Sequence, residues 1–348
     1  MSPTAVLTSN RHAVEGDLAD AIEFCHTRGW TDGLPVVPPT PERVKAMLEA
    51  ARLGPGEEIA YIAHRAVSIT AEKVAINAVM AGCRPEYMPV VVAGIEGIAD
   101  PLWSYHGPGT STAGAAVLMI VNGPVARELD VNAGDNLFGP GWRANLTIGR
   151  AVRLVMRNVC GSRPGTLDRG TLGHPGKLSY AIAENEAESP WPPLHVERGF
   201  RREQSAVTVM AAEAPHQFYN QLSNTAEGVL TTLCDDMRIS GNVMGQPPYA
   251  LVLAGEHMRT IAQDGWSKAD IRRFVFEHTQ NSHAHLKQTH RMAGAVLPGD
   301  ETRLRPLVES PDDILVVAAG GRAGAFSAYI PGWGSKRSSQ AVTKEVKR

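Results

Sequence analysis

Seven consecutive apolar residues, Ala115 to Val121, are closed by Asn122-Gly123-Pro124. The run is too short to cross a bilayer, and with turn formers at its end it reads as a core strand over 117–121. Around it, between Gly107 and Pro193, glycine, asparagine, arginine and histidine are unusually dense. Glycines let backbone approach a ligand, and amides, imidazoles and guanidinium groups bind polar ones. The chain is therefore expected to build a polar small-molecule site beside that strand.

The rest of the chain alternates strand and helix patterns. Asp17 to Arg28 reads as an amphipathic helix stopped by Gly29, and Trp30 to Pro39 must be extended because its prolines fix φ and remove amide donors. Thr40-Pro41-Glu42 restarts a helix that ends at Ala51. Glu58 to Ala63 predicts a strand, Thr70 to Ala81 a helix ended by Gly82, and Tyr87 to Ile98 a buried helix. Thr147 to Val159 is amphipathic, with Ile148, Val152, Val155 and Met156 on one face and Arg150, Arg153 and Arg157 on another. Strands are expected at 206–211, 249–254 and 314–319, and helices near 219–237, 256–264 and 268–278. This alternation predicts an α/β fold with mixed or mostly parallel sheets and flanking helices. The expected organisation is a loose N-terminus over 1–14, an α/β subdomain over 15–200 holding the polar site, a second, intimate α/β subdomain over 201–334, and a basic tail over 335–348. No internal repeat is evident.

A net charge of −2 gives no global electrostatic case for nucleic acid or an acidic membrane. Cys25, Cys83, Cys160 and Cys234 form no Cys-x-x-Cys or zinc-knuckle spacing, which favours a reduced protein, and Met1 to His12 lacks the apolar core of a signal peptide. A cytoplasmic chain is expected. The tryptophans of Ser189-Pro190-Trp191-Pro192-Pro193 and Ile330-Pro331-Gly332-Trp333-Gly334 are poorly suited to open solvent, which predicts a homo-oligomer of twofold symmetry.

Several residue groups could carry chemistry. The loop Gly134 to Arg143 feeds a helix expected to start near Asn145 or Thr147. A helix N-terminus with Arg143 beside it suits a carboxylate or phosphate, with His106, Asn122, Asn136 and Asn145 as further substrate-binding candidates. His174, Lys177, Glu184 and His195 could supply general acid/base groups, and Glu186 with His195 could ligate a divalent metal. Cys83, at a helix exit beside Arg84, is a candidate nucleophile, since a nearby cation lowers a thiol pKa. His278, His283, His285 and His290 lack the i,i+4 spacing of a helical metal site and read as a solvated face. Gly320-Gly321-Arg322-Ala323-Gly324 reads as a tight turn carrying Ser327, Tyr329 and Trp333 toward the site.

Four strings carry a resemblance: Trp30-Thr31-Asp32-Gly33-Leu34-Pro35-Val36-Val37-Pro38-Pro39-Thr40, Ala75-Ile76-Asn77-Ala78-Val79-Met80-Ala81-Gly82-Cys83, Ile120-Val121-Asn122-Gly123-Pro124 and Asp264-Gly265-Trp266-Ser267-Lys268-Ala269-Asp270. From about Gly29 to Gly334 the chain resembles a largely uncharacterised bacterial family found beside or fused to a small thiol or selenol domain, named for its Sec-Gly-Ser-Cys (UGSC) motif. This chain has no such motif, because Cys160-Gly161-Ser162 continues with Arg163. The resemblance implies that any redox centre of that type comes from a partner, a small thiol or selenol redox protein.

The residues and the resemblance together lead to the expectation of an enzyme that acts on a small anionic or carbonyl-bearing molecule. It would cleave or reduce a carbon–heteroatom bond with metal or thiol assistance. The alternative is a non-catalytic subunit or scaffold that docks a separate thiol/selenol redox domain.

Overall fold

Helices open the part of the chain that the computed structural model describes, residues 6–348. The first five residues of the loose N-terminus lie outside it. α1 (Leu18–Thr27) starts at a capping box, in which Asp17 accepts from Ala19 and Asp20 and the Asp20 carboxylate accepts from the Asp17 N–H. α2 (Pro41–Ala50) begins with proline in its first turn. The hairpin β1 (Glu58–Ile62) and β2 (Val67–Thr70) leads into α3 (Ala71–Ala81), which ends at Gly82 with φ +89°, a conformation costly for other residues. α4 (Met88–Ala99) and the short α5 (His106–Thr110) follow.

The apolar run is β3 (Ala116–Asn122), followed by α6 (Pro124–Glu128), α7 (Arg143–Asn158), β4 (Ala181–Ala183), α8 (Leu194–Glu197) and β5 (Ala206–Ala212). Beyond it come β6 (His216–Tyr219), α9 (Ala226–Arg238), β7 (Tyr249–Leu253), α10 (Gly255–Gln263) and α11 (Lys268–His278). A small pair, β8 (Asn281–Ser282) and β9 (Leu304–Arg305), flanks α12 (His283–Gln288). β10 (Ile314–Ala318), β11 (Phe326–Pro331) and β12 (Val342–Glu345) complete the chain.

Two four-stranded sheets, ordered β12-β5-β3-β4 and β10-β7-β11-β6, make this an α/β fold. Every residue of β3, β5, β7 and β10 is buried, and the alternation of side chains assigns each to one of two cores. Val117, Met119 and Val121 face α3, α4 and α7, whereas Leu118 and Ile120 face the other sheet. In the second sheet Tyr249, Leu251 and Leu253 face α9 and α11, whereas Ala250 and Val252 join Leu118 and Ile120. The molecule is layered helix, sheet, sheet, helix, with a thin core of small and branched side chains between the sheets.

The structure contains a repeat that the sequence conceals. β3 and β4 are parallel across α7, and β5 returns antiparallel to β3; β7 and β10 are parallel across α10 and α11, and β11 returns antiparallel to β7. The fourth strands are exchanged: β6, after β5, pairs with β11 of the second sheet, and β12, after β11, pairs with β5 of the first. Where the two crossing segments meet, Ala212 bridges Gly332, Glu213 N–H donates to Pro331 O at 2.9 Å and Trp333 N–H donates to Ala211 O at 2.8 Å. A cut near residue 200 therefore separates β5 and β12 from β3 and β4 of the same sheet. The basic tail is not a free appendage, since it supplies β12.

Other differences are local. The segment after Gly324 is a full strand, because Ala328 and Ile330 fit the inter-sheet core while Tyr329 fits the outer one. The helix expected from Tyr219 starts at Ala226, because 216–219 is edge strand β6. Trp191 is buried in its own chain with Nε1 donating to Trp266 O, and Trp333 is half-buried with Nε1 donating to Ser111 Oγ. The tryptophans that motivated a homo-oligomer thus find their partners within the chain. No helix of the described residues is long and apolar enough to cross a membrane.

Candidate functional site

β3 and β4 end side by side, so Asn122 and Glu184 meet at the carboxyl edge of the first sheet. Asn122 Nδ2 donates to Glu184 Oε2 at 2.7 Å and to Glu186 Oε1 at 3.1 Å, and Gly123 N–H donates to Glu186 Oε1 at 2.6 Å. Gly123 has φ +83°, and a Cβ there would fall 2.2 Å from Gln204 O, so the turn that aims its N–H at the carboxylate admits only glycine. Glu184 also accepts from Leu194 N–H at 2.7 Å and from Lys268 Nζ at 2.9 Å, and Lys268 reaches Glu197 at 3.1 Å. His195 is fully buried, its Nδ1 lies 3.8 Å from Glu186 Oε1, and neither ring nitrogen has a hydrogen-bond partner. Four of the sequence candidates, Asn122, Glu184, Glu186 and His195, thus converge. Three of them are fully enclosed, and the ion pair of Glu184 with Lys268 binds the first sheet to α11.

His174 and Lys177 lie at the other end of β4. His174 Nδ1 accepts from Gly176 N–H, which leaves the proton on Nε2, 3.4 Å from Ala212 O. Burial lowers its pKa below the ordinary histidine value, so this imidazole is neutral at pH 7. Lys177 is held by Asp168 at 2.7 Å, and Arg153 joins the same carboxylate at 3.3 Å. These groups form no acid/base pair with Glu184 or His195. His106, at the start of α5, is exposed, with its ring 5.8 Å from that of His64.

The remaining candidates are holding elements of the fold. α7 starts at Arg143, earlier than expected, and its Nε and Nη2 donate to Gly82 O at 3.1 and 2.9 Å. Asn145 is buried, donating to Asn132 O and Ala181 O and accepting from Asn132 N–H. Asn136 has φ +54° and donates to Pro140 O, as a turn residue does. Cys83 is buried with its thiol donating to Thr147 O, and burial pushes its pKa up to about 12. Such a thiol is protonated at neutral pH and is no nucleophile. Among the described residues no three His, Cys, Asp or Glu side chains are grouped so as to hold a metal ion.

Space for a ligand lies elsewhere. A cleft of about 770 Å³ runs between α1, α2, α3 and the C-terminal end of α7, roofed by a strap from Leu7 to Val14. The strap is fastened to α3 chiefly by a buried carboxylate: Glu72 accepts from Thr8 N–H at 2.9 Å, Thr8 Oγ1 at 3.0 Å and Ser9 N–H at 2.9 Å, and Lys73 Nζ adds a bond to Ser9 Oγ at 3.1 Å. Burial raises the pKa of Glu72, but these bonds outweigh it and hold the carboxyl below its ordinary value of 4.5. One wall is apolar, with Phe24 and Trp30 edge to face at 5.7 Å, His12 within 5.6 Å of both rings, and Pro38, Pro39 and Met80 beyond. The other wall carries Arg11, Lys73, Asn77, Asn158 and Arg163. Asn158 donates to Trp30 O and Asn77 Oδ1, which leaves its buried Oδ1 without a partner.

No known family model matches this chain, and no curated protein does.

The string from Trp30 to Thr40 forms the cleft's rigid edge. Asp32 accepts two bonds from Arg150 at 2.7 and 2.8 Å, and Arg150 also donates to Pro35 O, so the loop is clamped on α7 while its prolines fix the backbone. Trp30, Pro38, Pro39, Thr40, Ile76, Asn77 and Met80 line the cleft from two short segments, 30–40 and 76–80. His12, Lys73, Asn158 and Arg163 carried no motif at all. They meet only because α3 packs against α7 and the N-terminal strap folds back over both.

Proposed function

We propose that this chain is an enzyme of small organic anions and that the cleft beneath the N-terminal strap is its substrate site. The observation that carries the reading is the two-sided lining. Arg11, Lys73 and Arg163 face one acid, Glu72, whose oxygens are already occupied by the strap, so the polar wall retains excess positive charge. An anionic head group suits that wall, and a flat or aliphatic body suits Phe24, Trp30 and the prolines. Histidine is the residue type that most readily moves protons near neutrality, and His12 is the imidazole lining the cleft.

The chemical step is proposed as cleavage or reduction of a carbon–heteroatom bond. Thiol assistance would have to come from outside the chain. All four cysteines are buried and free; burial raises Cys25, and it pushes Cys83, Cys160 and Cys234 to about 12, 11 and 12. That observation favours, as the second reading, a subunit that docks a separate thiol or selenol domain. The test is turnover of small hydroxy, amino and thio carboxylates by the purified chain, with and without such a partner and with metal content measured. Turnover lost in a Lys73→Ala/Arg163→Ala variant supports the first reading. Turnover untouched by that variant would place the chemistry elsewhere, and saturable docking of the partner with no turnover would favour the second.

A further inference from the structure

α2 and α3 separate the cleft from a second, smaller cavity of about 330 Å³. Val44 and Met80 face the first, while Met47 and Val79 line the second together with Val37. Its charged groups are three guanidinium groups: Arg43 near the start of α2, Arg84 just beyond α3, and Arg143 at the start of α7. No acidic side chain lines this cavity. Arg143 uses Nε and Nη2 on Gly82 O, which fixes the group in place and leaves Nη1 uncommitted. Among the described residues the Arg43 and Arg84 side chains have no hydrogen-bond or ion-pair partner, and both are exposed.

Three like charges around one concavity repel, and a low-dielectric floor strengthens their field. The lining supplies no counter-charge, so a bound anion would relieve the arrangement. Planar guanidinium forks match phosphate oxygens in paired hydrogen bonds. We propose that this cavity binds a small phosphorylated organic molecule, with its phosphate held between Arg43, Arg84 and Arg143 and its apolar part against Val37, Met47 and Val79. The site is independent of the cleft, with its own residues and its own ligand class.

Calorimetric titration of the full chain with phenyl phosphate and with inorganic phosphate tests this at low ionic strength. In a Lys73→Ala/Arg163→Ala background, which strips the larger cleft of two of its cations, one phenyl phosphate per chain is expected, bound more tightly than inorganic phosphate because of the apolar floor and weakened by added salt. In that background Arg43→Glu and Arg84→Glu should each weaken it at least tenfold, and Arg84→Lys should retain part of the affinity. No saturable binding of either probe, or binding that both charge reversals leave within twofold, would overturn the proposal.

Discussion

Glu72 shows how one side chain can decide whether a site exists. It lies in the first turn of α3, where a negative charge is favoured by the helix dipole, and the three bonds it accepts are the strap's chief fastening. Hydrogen bonds to a charged group contribute about 1.5–3 kcal/mol each, so losing the carboxylate should open the strap more than tenfold. Glu72→Ala is expected to lower the protection factors of the Thr8 and Ser9 amides by at least that factor while the core strands keep theirs. The pH dependence follows from the depressed pKa. The contribution is complete above 4.5, the unfolded value, and is lost as pH falls through the lower folded value, so the protection factors of Thr8 and Ser9, taken relative to intrinsic exchange, should fall only in that acidic window. Protection factors lost already near neutrality would show that another group holds the strap. Arg143 shows at this scale that location is set by packing: glycines and an arginine before a helix suggested an anion nest in the 134–143 loop, but the guanidinium is anchored on the carbonyl at the end of α3 and lines the cavity beside α2.

At the scale of elements, the legible parts were those whose signals are local. Capping residues, a glycine stop and apolar stripes place α1, α3, α10 and α11 within a residue or two, and β3, β5, β7 and β10 announce themselves as continuous apolar runs because both faces are buried. β6 and β12 are edge strands with mixed polar faces, and Phe218 is the one buried residue of β6. Nothing within His216–Tyr219 or Val342–Glu345 distinguishes strand from loop without the neighbour it pairs with. The candidate chemistry was legible to the same degree: Asn122, Glu184, Glu186 and His195 do meet, because β3 and β4 end together, but Lys268 closes the group from 84 residues away. Lys268→Ala leaves Glu184 buried and unpaired, which should cost about 3–5 kcal/mol in chemical denaturation. Lys268→Met combined with Glu184→Leu should recover a large share, since replacing a buried pair by apolar groups is far cheaper than breaking it. A double variant as unstable as the single one would mean that the cluster does more than join the two sheets.

At the scale of the whole molecule, two strand-helix-strand-strand units are packed sheet to sheet and interlocked by exchange of their last strands. The repeat escapes the sequence because it is conserved only as topology: β3 ends in Asn122-Gly123-Pro124, whereas β7 ends in Leu253-Ala254-Gly255. Small and branched side chains fill the thin inter-sheet core. The cleft forms instead outside the first sheet's helical layer, where α1, α2, α3 and α7 meet the N-terminal strap. The central claim is that this cleft, rather than the buried carboxylate cluster, takes a small organic anion. Calorimetric titration of the full chain with a panel of small aromatic carboxylates, repeated on Lys73→Ala/Arg163→Ala and on Glu184→Gln, tests it most directly. The account predicts saturable binding that falls at least tenfold in the cleft variant and stays within twofold in folded Glu184→Gln. Binding that survives the cleft variant and disappears with Glu184→Gln would contradict it.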